Sequence, residues 1–255
     1  MNPKKYFALL MPAALLLLAF IVKPMAKKIT LYMIGDSTMS IKEKKYYPET
    51  GWGMPFAHFW DSTVLVDNRA QNGRSTKSFM AEKRWESVMS TLAEGDYVFI
   101  QFGHNDEIPT KKSATTPDEF KANLEKYIND TRFKKAIPVL LTSVARRKFD
   151  STGTLVDTHR QYADITRTVA REQNVILLDV DKSSRELLQQ LGPQGSLFLF
   201  NHLQPGEHPN YPEGKEDDTH FNELGARKMA ELVLAQLKIQ LPELAERIYR
   251  PAPKK

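Results

Sequence analysis

Five short apolar runs, each followed by a longer amphipathic stretch, constrain this chain more than any other feature of its sequence. Ile29–Ile34, Val64–Asp67, Asp96–Phe102, Ile137–Thr142 and Val175–Asp179 have the length and the β-branched and aromatic content of buried strands. Helical periodicity runs through roughly Met54–Asp61, Met80–Ala93, Pro117–Phe133, Asp157–Gln173, Lys182–Leu191 and Asn222–Leu237. Thr116-Pro117-Asp118-Glu119 is a strong helix start, with proline at the first helical position and acids in the first turn. Strands that alternate with helices build a parallel sheet covered on both faces, because each parallel connection needs a crossover. The expected fold is α/β: a three-layer, doubly wound sandwich around a five-stranded parallel sheet.

Ligands of such sheets bind beyond the carboxyl ends of the strands. The residues with chemical potential follow strands here. Gly35-Asp36-Ser37-Thr38 succeeds the first, Asn68-Arg69-Ala70-Gln71-Asn72-Gly73-Arg74-Ser75 the second and Gly103-His104-Asn105-Asp106 the third, while Asp217-Asp218-Thr219-His220 precedes the last helix. Acyl transfer needs a hydroxyl, an imidazole to take its proton, a carboxylate to orient that imidazole, and preorganised donors for the oxyanion. Ser37, His220 and Asp217 have the types required for the first three roles. The Ser37 and Gly73 backbone N–H groups and the Asn105 side-chain amide would be the donors. Each segment has a plainer reading: Gly-Asp-Ser-Thr as turn and cap chemistry, Asn105-Asp106 as an Asx turn, Gly73 as a positive-φ residue, and Asp217-Asp218-Thr219 as a helix cap. Four such segments in this order along one sheet edge favour the catalytic reading.

The same four segments match, in order, the sequence blocks of the SGNH-hydrolase (GDSL-like) superfamily. Thr38 after the serine, Gly51-Trp52-Gly53, and Asn72-Gly73-Arg74-Ser75-Thr76-Lys77-Ser78-Phe79 resemble the rhamnogalacturonan acetylesterases, a family of carbohydrate esterases. The resemblance implies a flavodoxin-like SGNH fold. It also implies Ser37 as nucleophile, His220 as base with Asp217 as its partner, and Gly73 and Asn105 as oxyanion donors; the two-step acyl transfer these residues would perform needs no cofactor, and no metal is expected. The D-x-x-H spacing selects Asp217 over Asp218, which is then a cap or surface carboxylate. The implied substrate is an acetylated oligosaccharide or polysaccharide, foremost pectic rhamnogalacturonan, with acetylated xylan or sialic acid as alternatives.

A pectic substrate carries carboxylates, and a guanidinium matches a carboxylate in shape. Arg74, Arg146 and Arg147 stand on the expected ligand side, and Tyr46, Tyr47 and Trp52 offer faces for sugar rings; an exposed basic patch and a buried aromatic cluster are the plainer readings. Two connections are unusually long, Ser143–Val156 and Gly192–Asp218, and the second carries Phe198, Phe200, His202, His208 and Tyr211, a composition suited to ligand contact. A metal site from His202, His208, Asp217 and His220 lacks a compact ligand spacing. A lipase or thioesterase would want a more apolar lid than this loop. A binding module without catalysis is disfavoured because every catalytic position is filled.

The front of the chain differs from its body. Two lysines within Met1–Lys5, the uncharged run Tyr6–Val22 and Pro24-Met25-Ala26 describe an export leader of residues 1–26, ahead of a single domain over 27–255. An uncleaved anchor is the alternative, since a run of this length lies at the short edge of what spans a bilayer. A cleaved leader predicts a periplasmic or secreted protein with no stable membrane insertion. The formal charge of +5 is concentrated at the two ends, and no basic stripe with interleaved aromatics suggests nucleic-acid binding. The chain has no cysteine, so an oxidising compartment leaves this fold untouched. Oligomeric state is not legible.

Overall fold

The computed structural model describes residues 27–251, so the leader lies outside the described residues. Five strands form one parallel sheet: β1 (Ile29–Gly35), β2 (Val64–Asn68), β3 (Tyr97–Gln101), β4 (Ile137–Leu141) and β5 (Ile176–Leu178). Their order across the sheet is β2-β1-β3-β4-β5, with Met33 opposite Asn68 on one side and Phe99 on the other. This is the flavodoxin-like order.

Successive side chains of a strand point to opposite faces, and here both faces are buried. Leu31, Met33, Tyr97, Phe99, Val139 and Leu141 enter one core with Phe56, Val180, Leu188, Met229, Val233 and Leu237. Tyr32, Ile34, Val98, Ile100 and Leu140 enter the other with Phe79, Val88, Phe120, Leu124, Ile128 and Val169. The first layer comprises α1 (Gly53–Phe56), α6 (Val180–Gly195), α7 (Glu223–Gln240) and α8 (Pro242–Ala245); the second comprises α2 (Thr76–Ala81), α3 (Arg84–Thr91), α4 (Pro117–Phe133) and α5 (Arg160–Glu172). The three-layer expectation holds.

Helix α4 has the bounds expected from its cap signals. Thr116 accepts from the Glu119 amide, and Glu119 accepts from the Thr116 amide in return. Three other helices depart from expectation. The periodicity over Met80–Ala93 is split, because Lys83 takes a left-handed φ of 58° between α2 and α3. Helix α2 begins earlier, at Thr76, where Ser75 and Ser78 cap each other. The stretch from Met54 gives one α-turn followed by a 3-10 turn, Ala57–Phe59. Helix α6 runs on to Gly195 through a break at Gly192 (φ 67°) before Pro193, so the start of the long Gly192–Asp218 connection is helical.

Candidate active site

The chain reverses its direction across the sheet between β1 and β3, and the loops after those strands part there. Ser37, Asn72, Gly73, His104 and Asn105 line the resulting cleft, which has a volume of about 510 Å³. Thr219 and His220 close it from the segment before α7. That segment is fixed by main-chain bonds, from the Thr50 amide to the Phe221 carbonyl at 2.8 Å and from the Asn201 amide to the His220 carbonyl at 2.9 Å. Residues 183 positions apart thereby meet: Ser37 Oγ lies 2.9 Å from His220 Nε2. His220 Nδ1 lies 2.9 Å from Asp217 Oδ2, while Asp217 Oδ1 accepts from the Thr219 and His220 amides at 2.9 Å each. Burial alone would raise the Asp217 carboxyl. Its bond to the His220 ring, the charge of that ring and the two amides outweigh burial and hold it well below the usual carboxylate range. Asp217 therefore stays an anion that orients the ring and stabilises its charged form. Its neighbour Asp218 does neither; it pairs with Arg147 and His202, at 2.8 Å each.

Local chemistry shapes the serine turn. Asp36 Oδ1 accepts from the Thr38 amide at 2.9 Å and the Thr38 hydroxyl at 2.8 Å, an Asx turn around Ser37, which lines the cleft. Gln101 donates to Thr38 Oγ1 at 3.0 Å and accepts from Trp52 Nε1 at 2.7 Å. The glycines of Gly51-Trp52-Gly53 let this strand of chain lie against the turn: a Cβ on Gly51 would sit 2.0 Å from the Ser40 carbonyl oxygen, and one on Gly53 2.5 Å from that of Met39. Trp52 is thus a strut. It is 0% exposed, so the expectation that it stacks on a sugar is corrected: its ring is enclosed by core and its N–H is taken by Gln101.

Gly73 has a φ of 76°, the left-handed region that glycine adopts without strain. Among the described residues, neither the Ser37 nor the Gly73 amide has a hydrogen-bond partner, so both remain available at the cleft. Asn105 Nδ2 gives one hydrogen to the Arg74 carbonyl at 2.9 Å and keeps a second.

The arginines behave differently from expectation. Arg74 is absent from the cleft lining; Glu82 and the Asn72 carbonyl hold its guanidinium at 2.7 to 3.0 Å, which corrects its assignment as a carboxylate contact. Arg146 does line the cleft, with its charge on Glu107 at 2.7 Å. Arg147 is held by Asp218 and by carbonyl and hydroxyl groups near Pro193. Tyr46 lines the cleft, and Tyr47 does not. Of the Gly192–Asp218 connection only Lys215 does so: Phe200 packs on Phe221, and Tyr211 donates to the Tyr46 carbonyl at 3.1 Å. His202 and His208 are not gathered with Asp217 and His220. Among the described residues the group with metal-ligand proximity is Glu49, Asp217 and His220, and the Lys215 ammonium already sits 3.4 Å from Asp217 and 4.0 Å from Glu49.

Lys42, its partner Glu49, Lys111 and His104 contribute to the site without having been singled out in the sequence. Lys42, buried under the serine turn, donates to the Ser37 carbonyl and to Asn72 Oδ1 (2.9 Å), and pairs with Glu49 at 2.7 Å. Burial pulls its amine below the ordinary lysine value, and Glu49 opposes that pull. Lys111 reaches Asn105. His104 forms part of the wall, edge-on to His159 with centroids 4.3 Å apart; burial, then the charges of His159 and Arg146, push its ring well below the usual histidine value. A buried lysine has no sequence signature, and the histidine was read only as part of its motif.

The arrangement has relatives. The pattern of the GDSL-like lipase/acylhydrolase family matches residues 33–228. The chain is 41% identical over 211 residues to rhamnogalacturonan acetylesterase RhgT of Bacillus subtilis, covering 82% of this chain and 89% of that protein. It is 32% identical to the probable rhamnogalacturonan acetylesterase YesY of the same organism, over 82% of this chain and 92% of that one. Among solved structures, protein YXIM of Bacillus subtilis superposes with a TM-score of 0.72 at 28% identity, over 84% of this chain and 57% of that chain. A family match that runs from the first strand into α7, with a relative 41% identical over 82% of the chain, makes this chain a member of the GDSL-like lipase/acylhydrolase family.

Proposed function

We propose that this protein is an exported serine acetylesterase that removes O-acetyl groups from rhamnogalacturonan-type pectic chains. The observation that carries the reading is the unbroken line from Asp217 through His220 to Ser37, in a cleft that also presents the unpaired Ser37 and Gly73 amides and the second hydrogen of Asn105 Nδ2. In the first step Ser37 Oγ attacks the acetyl carbonyl carbon while His220 Nε2 takes its proton. The oxyanion lies against the Ser37 and Gly73 amides and Asn105 Nδ2, each worth roughly 3–4 kcal/mol in the transition state. The intermediate collapses, and the sugar alcohol leaves with the proton from His220. A water that gives its proton to His220 then attacks the acyl-serine, releasing acetate and restoring Ser37.

The lining favours a short acyl group on a polar carrier. Tyr46 and Ile108 are its large apolar side chains, while Lys111, Arg146 and Lys215 line it against Glu49. RhgT, 41% identical to this chain, is a rhamnogalacturonan acetylesterase by name, which supports the same substrate here. Export rests on the charge and hydropathy pattern of residues 1–26.

Acetate release from acetylated rhamnogalacturonan, acetylated xylan and acetylated sialic acid tests the substrate; faster turnover of either alternative refutes it. Ser37→Ala should cost about 10³-fold or more on every substrate, including p-nitrophenyl acetate. A fully active Ser37→Ala protein would end the esterase mechanism. The N-terminal mass of protein recovered outside the cytoplasm tests the leader.

A further inference from the structure

Three cations line the cleft, and two of them already face carboxylates: Arg146 holds Glu107 at 2.7 Å and Lys215 lies 3.4 Å from Asp217. Lys111 is different. Among the described residues its ammonium meets no carboxylate and donates to Asn105 Oδ1 at 2.5 Å. The loop that carries it folds back on the Gly103-His104-Asn105-Asp106 motif: the Lys111 amide donates to the Ile108 carbonyl at 2.9 Å and the Thr115 amide to the Asp106 carbonyl at 3.0 Å. An exposed lysine six positions past the asparagine is thus returned to it.

We infer that Lys111 is a positioning residue that fixes the orientation of the Asn105 carboxamide and strengthens its nitrogen as a donor. The inference rests on the reading of Asn105 as an oxyanion donor. A carboxamide can flip, and the flipped form would present an oxygen to the oxyanion. Here the flip is opposed at both ends. It would turn Nδ2 toward the Lys111 ammonium and Oδ1 toward the Arg74 carbonyl, replacing two attractive contacts by two repulsive ones. The Arg74 contact is a neutral bond; the Lys111 contact is charge-assisted, about twice as strong. A cation on the amide oxygen also draws density from the nitrogen, so its second N–H becomes a better donor for developing negative charge.

The test uses Lys111→Met, which keeps the stem and removes the charge at an exposed position. On neutral p-nitrophenyl acetate it should lower kcat about ten-fold, a fraction of what loss of a whole oxyanion donor costs, and leave KM within about two-fold. Lys111→Arg should restore most of the loss. In an Asn105→Ala background Lys111→Met should change nothing further, because the group it acts through is gone. Unchanged kcat for Lys111→Met overturns the inference. So does a loss confined to KM for acidic oligosaccharides, which would make Lys111 a substrate contact, and so does a full ten-fold loss added to that of Asn105→Ala. An Asn105→Ala protein with wild-type activity removes the premise; an impaired Asn105→Ala with an intact Lys111→Met refutes the Lys111 role alone.

Discussion

Replacing Lys42 by Met takes a positive charge out from under the serine turn and leaves a stem of similar length. Lys42 and Glu49 have side chains 0% and 5% exposed, and their ion pair is 2.7 Å long. The same ammonium bonds the Ser37 carbonyl and Asn72 Oδ1. Removing one partner of a buried pair costs about 3–5 kcal/mol, because the other charge stays behind without compensation. The structure limits this range from above. Lys215 stands 4.0 Å from Glu49, a weaker substitute. A carboxylate left unpaired also escapes by binding a proton. At pH 7 that costs about 1.4 kcal/mol for each of the roughly 2.7 units separating pH from an ordinary glutamate value, hence about 3.7 kcal/mol in all. For a domain of this size that corresponds to a Tm lower by about 7–15 °C. The cost should shrink by about 1.4 kcal/mol per unit as pH falls from 7 to 5, because the proton becomes easier to obtain. Thermal melts of wild type and Lys42→Met across that range supply the measurement, with Lys42→Met/Glu49→Gln as the variant whose deficit should not vary with pH. A loss under about 1 kcal/mol at pH 7, or one that ignores pH, would refute the view that this pair holds the turn in place.

Asp217→Asn should lower kcat about 10⁴-fold with the fold retained, because the amide no longer sets the His220 tautomer. Since the Asp217 carboxyl is depressed by folding, its pairing stabilises the protein above the ordinary aspartate value of 3.8 and that contribution is lost as pH falls through the lower folded value; acid melts should show Asp217→Asn less acid-sensitive than wild type. Burial lifts Asp106 to about 7 against the hydrogen bonds from Thr76 and Thr115, so its contribution to stability is present below pH 3.8 and lost as pH rises through about 7. Asp106→Asn should flatten the stability profile between those values, and an unchanged profile would exclude Asp106 as its source. Trp52→Phe leaves Gln101 Oε1 without its donor and should cost about 1–3 kcal/mol in denaturant melts, while KM for oligosaccharides stays put; a raised KM would return Trp52 to the substrate site.

Much of this molecule is local in origin and was therefore legible. Strand runs and the cap signals at Thr116 gave the sheet and α4, since periodicity and capping depend on residues a few positions apart. The segments around Ser37, Gly73, Asn105 and Asp217-His220 were recognisable because the turns they form are set by their own residues, as the Asx turn from Asp36 to Thr38 shows. Errors arose where the deciding neighbour was distant. Trp52 is expected to offer a face to a sugar ring, but it is buried in the core with its N–H on Gln101, 49 residues away. Arg74 is expected on the ligand side, yet Glu82, eight residues on and at the end of α2, takes its guanidinium once that helix has formed.

The sequence by itself determined the alternation of strands and helices, the turn that carries Ser37 and the three-residue spacing by which Asp217 serves His220, all governed by short stretches of backbone. Tertiary structure alone decided that Ser37 and His220 stand 2.9 Å apart, that Lys42 and Glu49 meet beneath them, and which partner each cation at the cleft takes. Charge and hydrogen-bond energies fall off over a few ångströms, and distances between residues far apart in the chain exist only after the sheet has closed.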